Sequence, residues 1–118
     1  MRHLYIFGFE TPTQARLNKA NGWDDEDSLA VFIEAASADE ALSWGRTISE
    51  EFLKVLHDDR SVSWAQQNYA HWIEVNPAAR FGPAVVDGIP AVTVGQYPDW
   101  SSLVAGLDGI RADRSNRM

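Results

Sequence analysis

The hydrophobic period of the chain changes at Ser37, within one continuous stretch of sequence. Residues 29–36 alternate along the chain with a period of two, as expected of a strand. Beyond Ser37, apolar side chains recur every three or four residues as far as Leu56, as expected of a helix packed on a sheet. Ser37 and Glu40 form a capping-box pattern at its start. The stretch therefore predicts a strand followed directly by a long helix at 38–57.

The N-terminal part of the chain predicts a second strand. Residues 3–9 are apolar on both alternating faces, which is typical of a strand at the centre of a sheet. Thr11 and Pro12 then offer a helix start, and Gly22 offers a stop, but few apolar residues lie between them. Residues 12–20 are therefore either a helix or a structured loop.

The second half of the chain carries strand and turn signals. Residues 69–75 alternate again, and Asp87 with Gly88 stands between two apolar runs, which predicts a β-hairpin. Pro90 cannot donate to a sheet, so the returning strand is expected at an edge. Asp99 is expected to cap a short last helix.

These elements predict an α+β two-layer sandwich within a single domain at 1–110. Its sheet is mainly antiparallel or mixed, with about four to five strands, and the helix at 38–57 packs on one face. No apolar residue anchors the chain from Arg111 onward, so residues 111–118 are expected to form a disordered basic tail.

Composition excludes several classes of function. The chain has no cysteine, which excludes disulfides, thiol catalysis and thiolate metal sites. Its net charge of −7 disfavours contact with nucleic acid or an anionic membrane. The first ten residues resemble a strand rather than a signal peptide, and no apolar run approaches the roughly 20 residues that span a bilayer. The expected location is the cytoplasm.

Tryptophan is the unusual residue of this chain, which contains five. Trp23 precedes a run of acids on a predicted loop, and Trp64 lies in a polar segment. Exposed tryptophan is enriched at the energetic centres of protein interfaces, and nearby acids favour a basic partner. The predicted partner-binding residues are Trp23, Asp24, Asp25, Asp27, Trp64 and Trp72.

A second candidate site lies on the predicted sheet. Residues 31–34 resemble residues 71–74, and each segment places an aromatic residue and then a glutamate on one strand face. If the faces match, Phe32, Glu34, Trp72 and Glu74 form an aromatic surface with two carboxylates, which Tyr5, Phe7 and Phe9 are candidates to join. The long helix would cover the other face. Such a surface suits a ligand, and a carboxylate pair suits acid and base catalysis. The alternative ligand face is therefore Phe32, Glu34 and Glu74.

No motif for a phosphate loop, a nucleophilic serine or a metal site is present, so no cofactor and no metal are predicted. The sequence favours a small, non-enzymatic protein-binding module. In general character it is similar to immunity and inhibitor proteins that neutralise a partner enzyme. The alternatives are a small enzyme or ligand-binding domain that uses the Glu34 and Glu74 face, and a structural subunit of a homodimer.

Overall fold

The fold is a mixed sheet of four strands with helices. The computed structural model describes residues 1–106 of the chain. The predicted α+β class is confirmed. The predicted disordered tail at 111–118, and the end of the predicted domain at 110, lie outside the described residues. The elements are β1 (Arg2–Phe9), α1 (Pro12–Asn21), β2 (Asp27–Glu34), α2 (Ala38–His57), a 3-10 turn (Ala65–Gln67), β3 (His71–Glu74), α3 (Pro77–Arg80), α4 (Pro83–Gly88), β4 (Ala91–Thr93) and a helical segment at 100–106.

The first strand lies inside the sheet, as its doubly apolar sequence predicts. The strand order is β3-β1-β2-β4, with β1 antiparallel to both neighbours and β4 parallel to β2 at one edge. Residues 4–7 are each at most 1% exposed. Because β1 is paired along both edges and covered on both faces, it forms the centre of the core.

One face of the sheet contacts α2. The Tyr5 hydroxyl and the Ser49 hydroxyl share a buried hydrogen bond of 2.7 Å, and the Phe7 and Phe52 rings meet edge to face at 5.6 Å. A Cβ at Gly45 would lie 2.5 Å from the Tyr5 ring, so the glycine lets the helix approach the strand closely.

The opposite face carries Leu4 and Ile6, which pair across the sheet with Phe32 and Trp72. Phe32 is only 8% exposed, so this face is also covered. Tyr5, Phe7 and Phe9 do not join it. The prediction that they could was wrong because the register pairs even-numbered residues of β1 with Phe32 and Trp72, which turns the odd-numbered rings toward α2.

The local signals for helices are mostly confirmed. Residues 12–20 are helical, since the Gln14 N–H donates to the Thr11 hydroxyl at 3.1 Å and Gly22 ends α1 with a φ of 71°. The Ser37 hydroxyl accepts from the Glu40 N–H at 3.1 Å, as the capping pattern predicts. Asp99 likewise accepts from the Ser102 N–H at 3.1 Å.

The predicted hairpin at Asp87 and Gly88 is wrong. Pro83 occupies the first turn of α4, where its fixed φ suits a helix, and Asp87 and Gly88 lie at the other end of that helix. Gly88 therefore lacks the positive φ that the predicted turn needs. The strand after Pro90 lies at the sheet edge, as predicted, but it pairs in parallel with β2 instead of returning along a hairpin.

Candidate functional site

A short loop, residues 22–26, connects α1 to β2 and presents Trp23. We call it the Trp23 loop. The Trp23 side chain is 52% exposed, although its backbone N–H donates to the Asn18 carbonyl at 3.0 Å. Asp24 and Asp25 are also exposed. The loop therefore combines a fixed backbone with an accessible aromatic ring and two accessible carboxylates.

Asn18 fixes this loop to the body of the protein. The residue belongs to α1, and only 6% of it is exposed. The amide nitrogen donates to the Asp25 carbonyl at 2.7 Å and to the Glu10 carboxylate, while the amide oxygen accepts from the Gln14 amide at 2.8 Å. The two donated bonds leave the helix, so Asn18 links α1, the end of β1 and the Trp23 loop.

Glu10 is the second centre of this polar network, directly after β1. Its carboxylate accepts from the Tyr69 hydroxyl at 2.6 Å in addition to Asn18, and its carbonyl bonds the His57 ring at 2.8 Å. Burial and the neighbouring Glu10 carboxylate raise the pKa of the Tyr69 hydroxyl, which keeps it protonated as a donor. The loop thus rests on a network that reaches the end of α2.

Glu26 brings a further negative charge to the base of the loop. Its carboxylate lies over Gly8, so a side chain at position 8 would force the Glu26 side chain to move. Burial raises the pKa of the Glu26 carboxyl, and repulsion from Glu10 and Asp24 raises it further.

Of the six predicted partner-binding residues, three lie on the Trp23 loop and three lie elsewhere. Trp23, Asp24 and Asp25 are together on the exposed loop. Asp27 is instead the half-buried first residue of β2, where it pairs with Phe9 and is engaged by a further interaction.

The two later tryptophans are separate from this loop. Trp64 is 3% exposed, and its indole N–H donates to the Gly8 carbonyl at 2.9 Å. We therefore assign it to the core and remove it from the binding surface, since a ring that fills the core cannot contact a partner. Trp72 is half-buried under the Arg80 guanidinium, which lies 5.2 Å from the ring centre.

The alternative ligand face is not open. Phe32 is buried beneath the Arg2 guanidinium, which lies 3.9 Å from its ring centre. Glu34 contacts the N-terminal ammonium group at 2.6 Å. Glu34 and Glu74 share a face, but β1 separates their strands, which places their backbones at least about 10 Å apart. These residues therefore form neither an aromatic floor nor a close carboxylate pair.

The Asn18 and Glu10 network was missed by the sequence reasoning. The available signal was the weak apolar stripe of α1, in which Gln14 and Asn18 stand four residues apart on one helix face. Side-chain amides that face the interior of a protein need hydrogen-bond partners there, so the Gln14 and Asn18 pair indicates polar partners in the core. Sequence alone does not identify Glu10 and the Asp25 carbonyl as those partners.

Two general properties bear on the site. Within residues 1–106, no three metal-ligating side chains are grouped so as to hold an ion. No helix in this described part of the chain has the length and apolar character to cross a membrane.

Comparison with protein-family models, with curated proteins and with solved structures finds no match.

Proposed function

We propose that this protein is a small acidic protein-binding module, and that the Trp23 loop binds a basic partner. The observation that carries the proposal is the half-exposed Trp23 ring on a loop that Asn18 holds in place. The Asn18 carbonyl accepts from the Trp23 N–H, and the Asn18 side chain donates to the Asp25 carbonyl. Large aromatic rings supply much of the affinity in protein interfaces. A tryptophan held this way in water is suited to that role.

The fixed backbone favours binding because it lowers the entropy lost when a complex forms. A mobile loop would have to be ordered by the partner, at a cost in affinity. Here the Trp23 N–H and the Asp25 carbonyl are already bonded to Asn18. The ring is therefore presented in one backbone geometry before the partner arrives.

The charges favour a basic partner. Asp24 and Asp25 are exposed beside Trp23, and the whole chain carries a net charge of −7. Complementary charge mainly accelerates association and rejects acidic competitors. Within this proposal, this protein acts as an immunity or inhibitor protein, and its partner is a basic enzyme that it neutralises.

The test begins by identifying what contacts position 23. Trp23 is replaced by a photo-crosslinking phenylalanine analogue, and the same replacement at Val75, a 92% exposed residue far along the chain, serves as the control. A protein crosslinked only from position 23 is then purified, and its association and dissociation rates are measured by surface plasmon resonance.

We expect Trp23→Ala to accelerate dissociation by about thirtyfold, which corresponds to a hot-spot loss of about 2 kcal/mol. The double variant Asp24→Asn with Asp25→Asn should slow association at low salt and approach the wild-type rate at high salt, because salt screens exposed charges. Val75→Ala should change neither rate. Wild-type kinetics for both loop variants would refute the proposal.

A further inference from the structure

A second surface, at the C-terminal end of α2, is apolar and open. It is a groove of about 520 Å³ between the last turns of α2 and the helical segment 100–106. Val55 from α2 is 43% exposed and Val104 from the other helical segment is 40% exposed. The remaining lining residues are Phe52, Leu56, Trp100, Ser101 and Ala105.

The floor of the groove is rigid. Phe52 is 1% exposed and meets the Phe9 ring edge to face at 5.0 Å, and the Trp100 ring lies 6.1 Å from Phe52 on the groove side. Leu103, one residue before Val104, is fully buried. Since its floor belongs to the core, the groove keeps its shape without a ligand.

The residues that border the groove are mostly acidic. Glu51 stands four residues before Val55 on α2 and so lies beside it on the helix surface. Asp58 caps the end of α2 in the left-handed conformation, two residues after Leu56 of the groove. Asp59 follows directly, and Asp99 begins the helical segment on the other side. Arg60 is engaged by the Glu51 carboxylate through two hydrogen bonds, of 2.6 and 2.9 Å. Glu51 and Arg60 cancel, and the neighbouring Lys54 is paired with Glu50. The excess of negative charge therefore comes from Asp58, Asp59 and Asp99, at the ends of the two helical walls.

We propose that this groove is a docking site for a basic amphipathic helix of a partner protein. A helix laid between two helices can bury apolar side chains at spacings of three and four residues, which is how helices bind in grooves. Lysine or arginine residues beside that apolar stripe would face the acidic border. None of the Trp23 loop residues takes part, so this site is independent of the function proposed above.

The probe is a synthetic helical peptide of about 18 residues, with leucine at every third or fourth position and lysine on both flanks of that stripe. A control peptide has the same leucines with glutamate in place of lysine. Binding to the full chain is followed by NMR, through the methyl groups of Val55 and Val104 and the indole of Trp100, and by the gain in peptide helicity.

We expect the lysine peptide to shift these signals to saturation and the glutamate peptide to leave them unchanged. Val104→Asp should weaken binding about tenfold or more, whereas Val75→Asp, at the 92% exposed control position, should not. Asp58→Asn with Asp99→Asn should weaken binding severalfold at low salt only. Asparagine can keep both helix-terminal conformations, so this double variant removes charge with little loss of structure.

Other occupants of the groove would overturn the proposal, and each has a distinct signature. Equal binding of the glutamate peptide would show that the charges play no part. Self-association in sedimentation equilibrium that Val104→Asp abolishes would identify a second copy as the occupant. Binding that appears only after Arg111, Arg114 and Arg117 are replaced by glutamine in the full chain would identify the chain's own C-terminal residues.

Discussion

The most direct test of the site concerns Asn18, and the change is Asn18→Ala. The substitution removes an amide that joins α1 to the Glu10 carboxylate and to the Asp25 carbonyl. Among the described residues, the Glu10 carboxylate then keeps the Tyr69 hydroxyl as its side-chain donor. We therefore expect a loss of stability together with a loosened Trp23 loop.

The magnitude follows from the bonds that are lost. A hydrogen bond to a charged group contributes about 1.5 to 3 kcal/mol, and each neutral bond contributes about 0.5 to 1.5 kcal/mol. Against this, alanine gains roughly 0.5 kcal/mol in a helix, and water can replace part of the bonding at Asp25 and Gln14. We expect a net loss of about 2 to 4 kcal/mol in the free energy of unfolding, a large fraction of the stability of an ordinary domain.

Urea denaturation followed by tryptophan fluorescence measures that loss, and amide hydrogen exchange at Trp23 measures the mobility of the loop. Asn21→Ala is the matched control. Asn21 belongs to the same helix, but it is exposed and its side chain donates to the Leu17 carbonyl at 2.9 Å, within α1 itself. We expect that control to lose less than about 0.5 kcal/mol. Equal losses in the two variants would show that Asn18 does not hold the loop.

Two further predictions concern the core and the charge beneath the loop. Phe52→Ala should cost about 3 to 5 kcal/mol in urea denaturation because it empties a buried site, and an unchanged midpoint would place Phe52 outside the core. Because folding raises the pKa of Glu26, the protonated carboxyl stabilises the folded protein below the ordinary carboxyl pKa. That stability is lost as pH rises through the pKa of Glu26 in the folded state. Glu26→Gln should therefore melt above the wild type at pH 7, with a gap that closes on acidification. A gap that widens in acid would contradict burial and repulsion as the cause of the raised pKa.

The elements with complete local signals could be predicted from the sequence. The helix α2 has a capping residue, first-turn acids and a regular apolar stripe, and these agree with its packing against β1. The strand β1 has no charged side chain from Leu4 to Phe9, where both of its faces and both of its edges are covered. The position and exposure of the Trp23 loop also follow from local signals, since Gly22 ends α1 as expected.

Features that depend on contacts between different elements of the fold could not be predicted. The face occupied by Tyr5 depends on the register of β1 against β2, and a shift of one residue would reverse it. The segment before Gly88 has turn residues, but Pro83 starts a helix there and β4 finds its partner in β2, so no hairpin forms. The Asn18 amide bonds to Gln14, Glu10 and Asp25, all within eight residues of it. Only the Gln14 bond follows the helix period, and the other two join different elements of the fold.

The central position of β1 has a consequence for the order of folding. Its first neighbour, β2, ends at Glu34, but its second neighbour, β3, ends at Glu74, forty residues later. At about 5 to 20 residues per second, synthesis of that interval takes about 2 to 8 s.

During that time one edge of β1 has no partner. An exposed, apolar strand edge of this kind can pair with another chain. The pairing of Leu4 with Glu74 also closes a long loop, which slows refolding of the isolated protein. Newly made or refolding chains should therefore be most prone to association before β3 docks, so the yield of refolding should fall as protein concentration rises.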